Sequence, residues 1–527
     1  MRLFCLSLLA FVAQTVTAPR FEPMQRELLA LGGSFVNAWA DPDGDGDPDL
    51  FVGFNGTPNR LYRNDAGVLT DVAAAAGVAD GRATRAAAWG DYDADGDPDL
   101  LVGFAPGAGS VLRLYRNDGT AGARGSAAAA GPAVVRFADV TEAAGLGVPT
   151  GAVRQPAWID LDGDGDLDLF VAFRDRANAF FLNESGKFRD DAPAMGLADA
   201  RRSVGAGWFD ADEDGDLDLY LANMDGDQNA LYRNDAGKFT DVAGAAGVDW
   251  GGRTPNEAAN GTVRPCAADV DGDGRFDLFT ANYGPNGLFL IRGVRDVTVQ
   301  PHRELVGVSI GFGGGRLQFE DASRDWGIAI DARYDACVFA DFDNDGRLDL
   351  YVNGTVTGGT SYRDYLFRNA GSRFDDVTPE NIAAIQADHG AAWADVDGDG
   401  DLDLALTGSR PDGMHWVMRN LLPPPATGRS ITVRVLDSRG RATLAGAEVR
   451  VYAAGTRKLV AAAGLVDSGS GYDAQNDLPV HVGLPTLSRV DVEVTFPAAG
   501  KRVVARAANV DPRTAKGRAI TVRVGGS

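Results

Sequence analysis

Cysteine and histidine are scarce: the 527 residues hold 3 cysteines and 4 histidines. Cys5 lies near the start of the chain, which leaves Cys266 and Cys337 for the folded part. Two cysteines in so long a chain make no disulfide framework, and the expectation is two buried free thiols rather than one bridge. His302, His389, His415 and His481 are scattered, with no two spaced as metal ligands on one strand or helix. A Gly-x-Ser-x-Gly elbow and a phosphate-cradling glycine loop followed by Lys-Ser or Lys-Thr are both missing. The chain therefore shows none of these catalytic constellations, which favours a binding protein and leaves an enzyme open.

Long apolar runs are missing too. Residues 1–18 carry Arg2, an apolar run from Leu3 to Ala13 and small residues up to Ala18, the pattern of a Sec signal peptide. The run is too short for a membrane span, and no later stretch is long and apolar enough to be one. The expectation is a soluble protein that is secreted or periplasmic. Cys5 falls inside the apolar run rather than after it, so no lipid-attachment box is formed.

Basic residues are outnumbered, 50 Lys and Arg against 74 Asp and Glu, for a net charge of −24. Such a balance speaks against nucleic acid as a partner. Where the charge sits is more informative. The decapeptide "DPDGDGDPDL" at 41 recurs as "DYDADGDPDL" at 91, "DLDGDGDLDL" at 160, "DADEDGDLDL" at 210, "DVDGDGRFDL" at 269, "DFDNDGRLDL" at 341 and "DVDGDGDLDL" at 395.

In all seven copies positions 1, 3, 5 and 9 are aspartate, position 6 is glycine and position 10 is leucine. The side-chain ligands this predicts are Asp41, Asp43, Asp45 and Asp49; Asp91, Asp93, Asp95 and Asp99; Asp160, Asp162, Asp164 and Asp168; and Asp210, Asp212, Asp214 and Asp218. The last three loops add Asp269, Asp271, Asp273 and Asp277; Asp341, Asp343, Asp345 and Asp349; and Asp395, Asp397, Asp399 and Asp403. Position 7 is Asp47, Asp97, Asp166, Asp216 and Asp401, but Arg275 and Arg347 in two loops. A position that accepts arginine contributes its backbone carbonyl, not its side chain.

Alternating carboxylates, a glycine turn and a carbonyl suit Ca²⁺, which takes about six to eight oxygens. Zinc and copper fit poorly, because no His or Cys lies in these loops. Nor are these EF-hands, since position 12 is never glutamate and each loop runs into an apolar, β-rich stretch such as "LFVGF" or "LYVNG". The 28 predicted side-chain ligands exceed the net charge of −24, so the rest of the chain is close to neutral.

Each loop heads a longer unit of 50 to 72 residues. Downstream come "LYRN" at 61, 114 and 231, "LFRN" at 366 and the looser "FFLN" at 180 and "VMRN" at 417. A short strand follows, such as "FTDV" at 239 or "FDDV" at 374, often leading into "AAGV" or "AAGL". Helical periodicity is nowhere sustained, so each unit reads as four short strands. Seven such units predict an all-β fold, a seven-bladed β-propeller over residues 19–421. Loop 7 lacks the last strand of its unit, and the segment at 20–33 is expected to supply it and close the ring. Trp39, Trp89, Trp158, Trp208 and Trp393, each two residues before a loop, are expected in the core.

Residues 422–429 form a proline-rich linker. Beyond it "SITVRVLD", "AEVRVYAA", "VDVEVTF" and "AITVRV" alternate apolar and polar residues, which predicts a small β-sandwich-like domain over 430–527.

The loops and their "LYRN…FTDV…AGV" frame resemble the FG-GAP/VCBS repeats of integrin α-subunits and bacterial exported proteins. That resemblance implies Ca²⁺, up to seven ions, bound within the blades. The stretch at 464–485 resembles the ASPIC/UnbV domain through Gly469, Gly471, Tyr472, Gln475, Asn476, His481, Gly483 and Leu484, with Ala474 in place of a serine. A propeller followed by this domain is the architecture of the cartilage acidic protein family, and this chain resembles its bacterial members. Tyr472, Gln475, Asn476 and His481 are the candidate ligand residues outside the calcium loops; the other reading is that they fasten a long loop to the rest of the protein.

Two functions compete. One is a calcium-stabilised adhesion or matrix-type scaffold that binds an extracellular or periplasmic protein. The other is a lectin or polysaccharide-active enzyme. An asymmetric cluster of Arg, Tyr and His in the central cleft would favour an enzyme, and equivalent aromatic and acidic pockets between several blades a lectin.

Overall fold

A computed structural model describes residues 18–525, apart from 121–133, 251–260, 292–316 and shorter gaps at 358, 386, 411–413, 468, 470–472, 477–478, 498–499 and 515–518. The proposed leader, residues 1–18, lies almost wholly outside the described residues, and so do His302, Gly471 and Tyr472.

Strand pairing groups the first part of the chain into seven four-stranded antiparallel units, the fifth and sixth of which are joined into one sheet where Tyr283–Pro285 pairs with Asp331–Arg333. Unit 1 is Ser34–Ala40, Asp49–Phe54, Arg60–Asp65 and Val68–Asp71. The inner strands of the next units are Thr84–Gly90, Val153–Ile159, Ser203–Phe209, Gly261–Ala268, Asp331–Ala340 and Ala391–Ala394. These pack side by side in chain order, and the seventh returns to the first, so the units form a closed ring around an axial channel. The expected closure occurs as well: Phe21–Pro23 pairs with Trp416–Asn420, and the last unit is made from both ends of the ring sequence. The fold is a β-propeller.

The core lies between successive units. The leucine at position 10 of every Asp loop is fully buried, as are Trp39, Trp89, Trp158, Trp208 and Trp393, none more than 3% exposed. Trp89 and Trp158 also reach the preceding unit, where Nε1 donates to the carbonyls of Ala38 and Ala88 at 3.2 and 3.3 Å. The only helices among the described residues are single turns such as Ala73–Ala76 and Thr141–Ala144, and Gly77 and Gly145 end these two in the left-handed region. That accounts for the "AAGV" and "AAGL" signatures.

One expectation is overturned. Cys266 and Cys337, read as free thiols, form a disulfide. They sit on the inner strands of units 5 and 6, which are neighbours in the ring. The sequence shows that both strands are buried but not which residues face each other across two units.

The C-terminal domain has two sheets. Ser430–Leu436 lies between Val480–Gly483 and Ala519–Arg523, while Glu448–Ala453 and Val490–Pro497 form the middle of a second sheet edged by Leu459–Leu465 and Arg502–Val510. Ile431, Val433, Val449, Val451, Val492 and Val494 from the two sheets share one apolar core, the sandwich expected from their alternation.

Candidate metal centres

Each Asp loop joins the inner strand of a unit to its second strand, with position 1 just past the one and position 9 opening the other. Two left-handed residues bend it. Position 4 has φ between 54° and 75° in all seven loops and accepts Ala94, Glu213 and Asn344 besides glycine. Position 6 has φ between 88° and 101° and is always glycine. The first range is the left-handed well that a side chain can enter; the second lies beyond it, where a Cβ crowds the backbone. The loop thus needs glycine at one position and tolerates it at the other.

These bends turn carboxylates toward a common point. One oxygen from each of Asp41, Asp43 and Asp45 falls within 4.8 Å of the others, and the same holds for Asp160, Asp162 and Asp164 and for Asp269, Asp271 and Asp273. In two loops the third member is position 9, with Asp91 and Asp93 joined by Asp99, and Asp210 and Asp212 by Asp218. Buried carboxylate oxygens without a hydrogen-bond donor remain at Asp41 Oδ1, Asp212 Oδ1, Asp269 Oδ1 and Asp343 Oδ1. Clustered carboxylates, with a buried oxygen that lacks a donor among them in four of the loops, are what a hard cation requires, so these residues fit Ca²⁺.

Position 9 has two tasks. Its Oδ1 accepts the backbone N–H of a residue at or near the end of the third strand, from Asn64 on Asp49 to Asn420 on Asp403, at 2.7–3.0 Å in all seven units. Burial, with the neighbouring carboxylates adding to it, pushes Asp49 and Asp99 up to about 9 and Asp168 and Asp277 up to about 8. At position 1 the same causes, burial first, bring Asp91 to about 6, Asp160 to about 7 and Asp210 to about 8. A nearby divalent cation would offset exactly this cost and keep the groups ionised.

Position 7 behaves differently. The side chains of Asp47, Asp166, Asp216 and Asp401 accept backbone N–H groups from Ala66, Ser185, Ala236 and Leu422, just past the third strand, at 2.8–3.1 Å. Arg347 instead donates to the carbonyl of Asn369 in the same region, at 2.7 Å. The side chain fastens the loop to its own unit, which either chemistry can do.

The asparagine of "LYRN" is a residue whose role sequence reasoning missed. Its Nδ2 crosses to the position-2 carbonyl of the preceding unit's Asp loop: Asn64 to Val396, Asn117 to Pro42, Asn183 to Tyr92, Asn369 to Val270 and Asn420 to Phe342, at 2.8–2.9 Å. Its recurrence at 64, 117, 183, 234, 369 and 420 was the available signal.

The C-terminal domain rests on the face that carries the Asp loops. Arg441 approaches Asp166 at 3.5 Å, and the Gly500 amide donates to Asp216 Oδ1 at 2.6 Å. Arg502 pairs with Glu213 at 3.0 Å, and Arg450 donates to the Gly274 carbonyl. His481 Nε2 donates to Asn344 Oδ1 at 2.9 Å, and the Ser430 hydroxyl to the Gly400 carbonyl at 2.7 Å. Loops 3 to 7 are all engaged.

Gly469 and the residues from Asp473 to Asn476 of this domain reach the inner strands of the ring. The Gly469 carbonyl accepts Gln155 Nε2 at 2.9 Å, and the Asp473 carbonyl accepts the Asn37 amide at 3.2 Å. Ala474–Gln475 runs parallel to the inner strand of unit 1. Gln475 bonds both the amide and the carbonyl of Trp89, at 2.6 and 3.2 Å, and Asn476 Oδ1 accepts the Trp393 amide at 2.9 Å. Of the candidate ligand residues, Gln475 and Asn476 are thus engaged with the ring backbone and His481 with loop 6.

A ring of four-stranded units with a carboxylate-lined loop in each, covered on one face by a β-sandwich, defines a propeller of Asp-loop repeats with an accessory domain. The FG-GAP-like repeat family matches at residues 41–102, 160–221, 210–280, 269–352 and 354–406, more than half of the chain, and the chain belongs to that family. The ASPIC and UnbV family matches residues 438–515. Cartilage acidic protein 1 from Homo sapiens is 29% identical over 278 residues, 51% of this chain and 37% of that protein. The Mus musculus protein of the same name is also 29% identical over 278 residues, with 38% of its length covered. The chain thus spans less than two fifths of these relatives. Among solved structures, BBS1N in complex with ARL6DN is 11% identical over 78% of this chain and 97% of that one, with a TM-score of 0.40, too distant to carry an argument. No helix among the described residues is long and apolar enough to cross a membrane.

Proposed function

We propose that the protein is an exported, calcium-stabilised propeller that acts as an adhesion or matrix-type scaffold for an extracellular or periplasmic protein. Residues 19–421 form the ring, 422–429 the linker and 430–527 the accessory domain, with residues 1–18 as leader. Each Asp loop holds one Ca²⁺, up to seven, through the side chains at positions 1, 3, 5 and 9 and the carbonyl at position 7. The ion supplies no chemistry beyond charge compensation and cross-linking of the loop. The observation that carries this reading is the repeated gathering of aspartate oxygens within 4.8 Å of one another, with a buried oxygen that lacks a donor at Asp41, Asp212, Asp269 and Asp343. Similarity to proteins named for cartilage supports a matrix-type role.

The test is thermal unfolding of metal-free protein titrated with Ca²⁺. Extracellular calcium modules have dissociation constants of about 10⁻⁴ to 10⁻³ M, so millimolar Ca²⁺ is expected to raise the melting temperature and EGTA to reverse it. A melting curve indifferent to both would refute the calcium assignment.

A further inference from the structure

The seven Asp loops share their carboxylates but not the positive charges around them. In units 1, 2 and 4 the third strand closes on "LYRND", at 61, 114 and 231. Its arginine pairs with the aspartate two residues later: Arg63 with Asp65 at 2.6 Å, Arg116 with Asp118 at 2.7 Å and Arg233 with Asp235 at 2.6 Å. Among the described residues, none of these three arginines has a loop carboxylate within ion-pairing distance. The aspartate keeps the guanidinium on its own strand and off the loop.

Unit 6 lacks that aspartate. Its third strand closes on "LFRNA", with Ala370 in the acidic position, and Arg368 turns onto the loop instead. Arg368 Nε donates to Asp343 Oδ2 at 2.6 Å and Nη2 to Asp345 Oδ2 at 3.3 Å. A second guanidinium joins it: Arg347, at position 7, donates to the same Asp345 Oδ2. Positions 3 and 5 of loop 6 are thus both paired with cations of the chain itself. Two other loops go half as far. Loop 5 has Arg275 on Asp273 at 2.5 Å, but Leu290 where unit 6 has Arg368. In unit 7 Leu421 replaces the aspartate and Arg419 comes within 3.7 Å of Asp397, but position 7 is Asp401.

This pairing changes what an ion can gain. Carboxylates gathered at one point repel one another, and a divalent cation is bound in large part because it relieves that repulsion, so affinity follows the ligand charge that is left uncompensated. At loop 6 two guanidiniums already supply the relief, and they add positive charge where a cation must go. The loop is also held from outside. Asn344, at position 4, is buried, bonds His481 Nε2 and donates to the carbonyls of Gly400 and Ala426 at 2.8 and 3.2 Å. A Cβ on Gly483 would lie 2.0 Å from Asp341 Oδ2, so the accessory domain rests directly on position 1. Asp343 Oδ1 is buried without a donor, which still leaves an ion an acceptor. We propose that Arg347 and Arg368 stand in for calcium at loop 6 and make it the loop that fills last, about tenfold or more weaker than loop 1. The residue that decides this is Ala370, because it frees Arg368 from its own strand. The inference rests on the calcium reading of the Asp loops and ranks the sites within it.

Equilibrium dialysis of the metal-free full chain against radioactive Ca²⁺ counts the ions bound at each free concentration. The unsubstituted chain is expected to take up its last ion about tenfold or more weaker than its first. Asp343→Asn is expected to remove that last ion, and Asp43→Asn one of the early ones. Ala370→Asp rebuilds the acidic position of units 1, 2 and 4 at an exposed residue, and is expected to draw Arg368 off the loop and tighten the last ion about tenfold. Three results would overturn the ranking: one affinity for all ions in the unsubstituted chain, loss of an early ion on Asp343→Asn, or a folded Ala370→Asp chain that binds as the parent does. The first of these needs no variant. Absence of Ca²⁺ uptake at any concentration would refute the calcium reading itself, whereas uptake in which loop 6 fills early refutes only this ranking.

Discussion

Asn117 Nδ2 donates to the carbonyl of Pro42, 75 residues earlier and in the Asp loop of the preceding unit, at 2.9 Å. The same side chain donates to Pro98 in its own loop at 3.1 Å, while its backbone amide is held by Asp99. One residue thus ties an Asp loop to its own unit and to the neighbouring loop. Replacing it with alanine leaves two buried carbonyls without that donor, and Asn117→Ala is expected to cost about 1–3 kcal/mol. Urea unfolding in saturating Ca²⁺ measures this, and an unchanged midpoint would deny the asparagine its cross-unit role.

Gly46 and Ala94 separate conformation from space. An added Cβ at Gly46 would meet nothing within 4 Å, yet its φ is 101°. Gly46→Ala is therefore expected to destabilise the protein by about 1–2 kcal/mol through backbone strain alone. Ala94, at φ 60°, already occupies the left-handed well, and Ala94→Gly is expected to be neutral or slightly stabilising. Equal losses for both in thermal melts would remove the distinction between positions 4 and 6.

Within one loop, positions 3 and 7 are expected to divide metal binding from loop anchoring. Asp43→Asn removes a ligand charge and should abolish or strongly weaken one of the calcium sites. Asp47→Asn changes a side chain that accepts the Ala66 amide and should leave the number of ions bound unchanged. Calorimetric stoichiometry distinguishes them; loss of an ion on Asp47→Asn would show its carboxylate to be a ligand.

Metal-free protein should respond to pH in a defined sense. The folded-state values of Asp91 near 6, Asp160 near 7, Asp168 near 8 and Asp49 near 9 all lie above the ordinary aspartate value of 3.8, with burial the first cause. The folded state then holds more protons than the unfolded one between about pH 4 and pH 9, so stability falls as pH rises through that window. In EGTA the melting temperature is expected to be higher at pH 5.5 than at pH 8.5. Ca²⁺ competes with those protons, so its stabilising effect should grow toward pH 8.5. A metal-free melting temperature that climbs with pH contradicts these shifts.

The Cys266–Cys337 bridge closes a 71-residue span across two units. A link over such a span is worth about 2–4 kcal/mol through restriction of the unfolded chain. Paired serine substitutions are expected to lower stability by that order without changing how many calcium ions bind. Mass analysis of alkylated, unreduced protein should find neither Cys266 nor Cys337 alkylated.

The repeating part of this protein was legible in its sequence because each unit solves the same local problem. A loop with aspartate at positions 1, 3, 5 and 9 and glycine at 6 has one conformation, and the apolar residues after it make one kind of strand. Seven copies were therefore enough to predict the units, the buried Trp39 and its counterparts, and the closing strand at Phe21–Pro23. What only the tertiary structure decided are contacts made once, or made between units. The Cys266–Cys337 pairing, the reach of Asn117 to Pro42 and the seating of Gln475 on Trp89 each depend on how distant segments are brought together, and no periodicity records that.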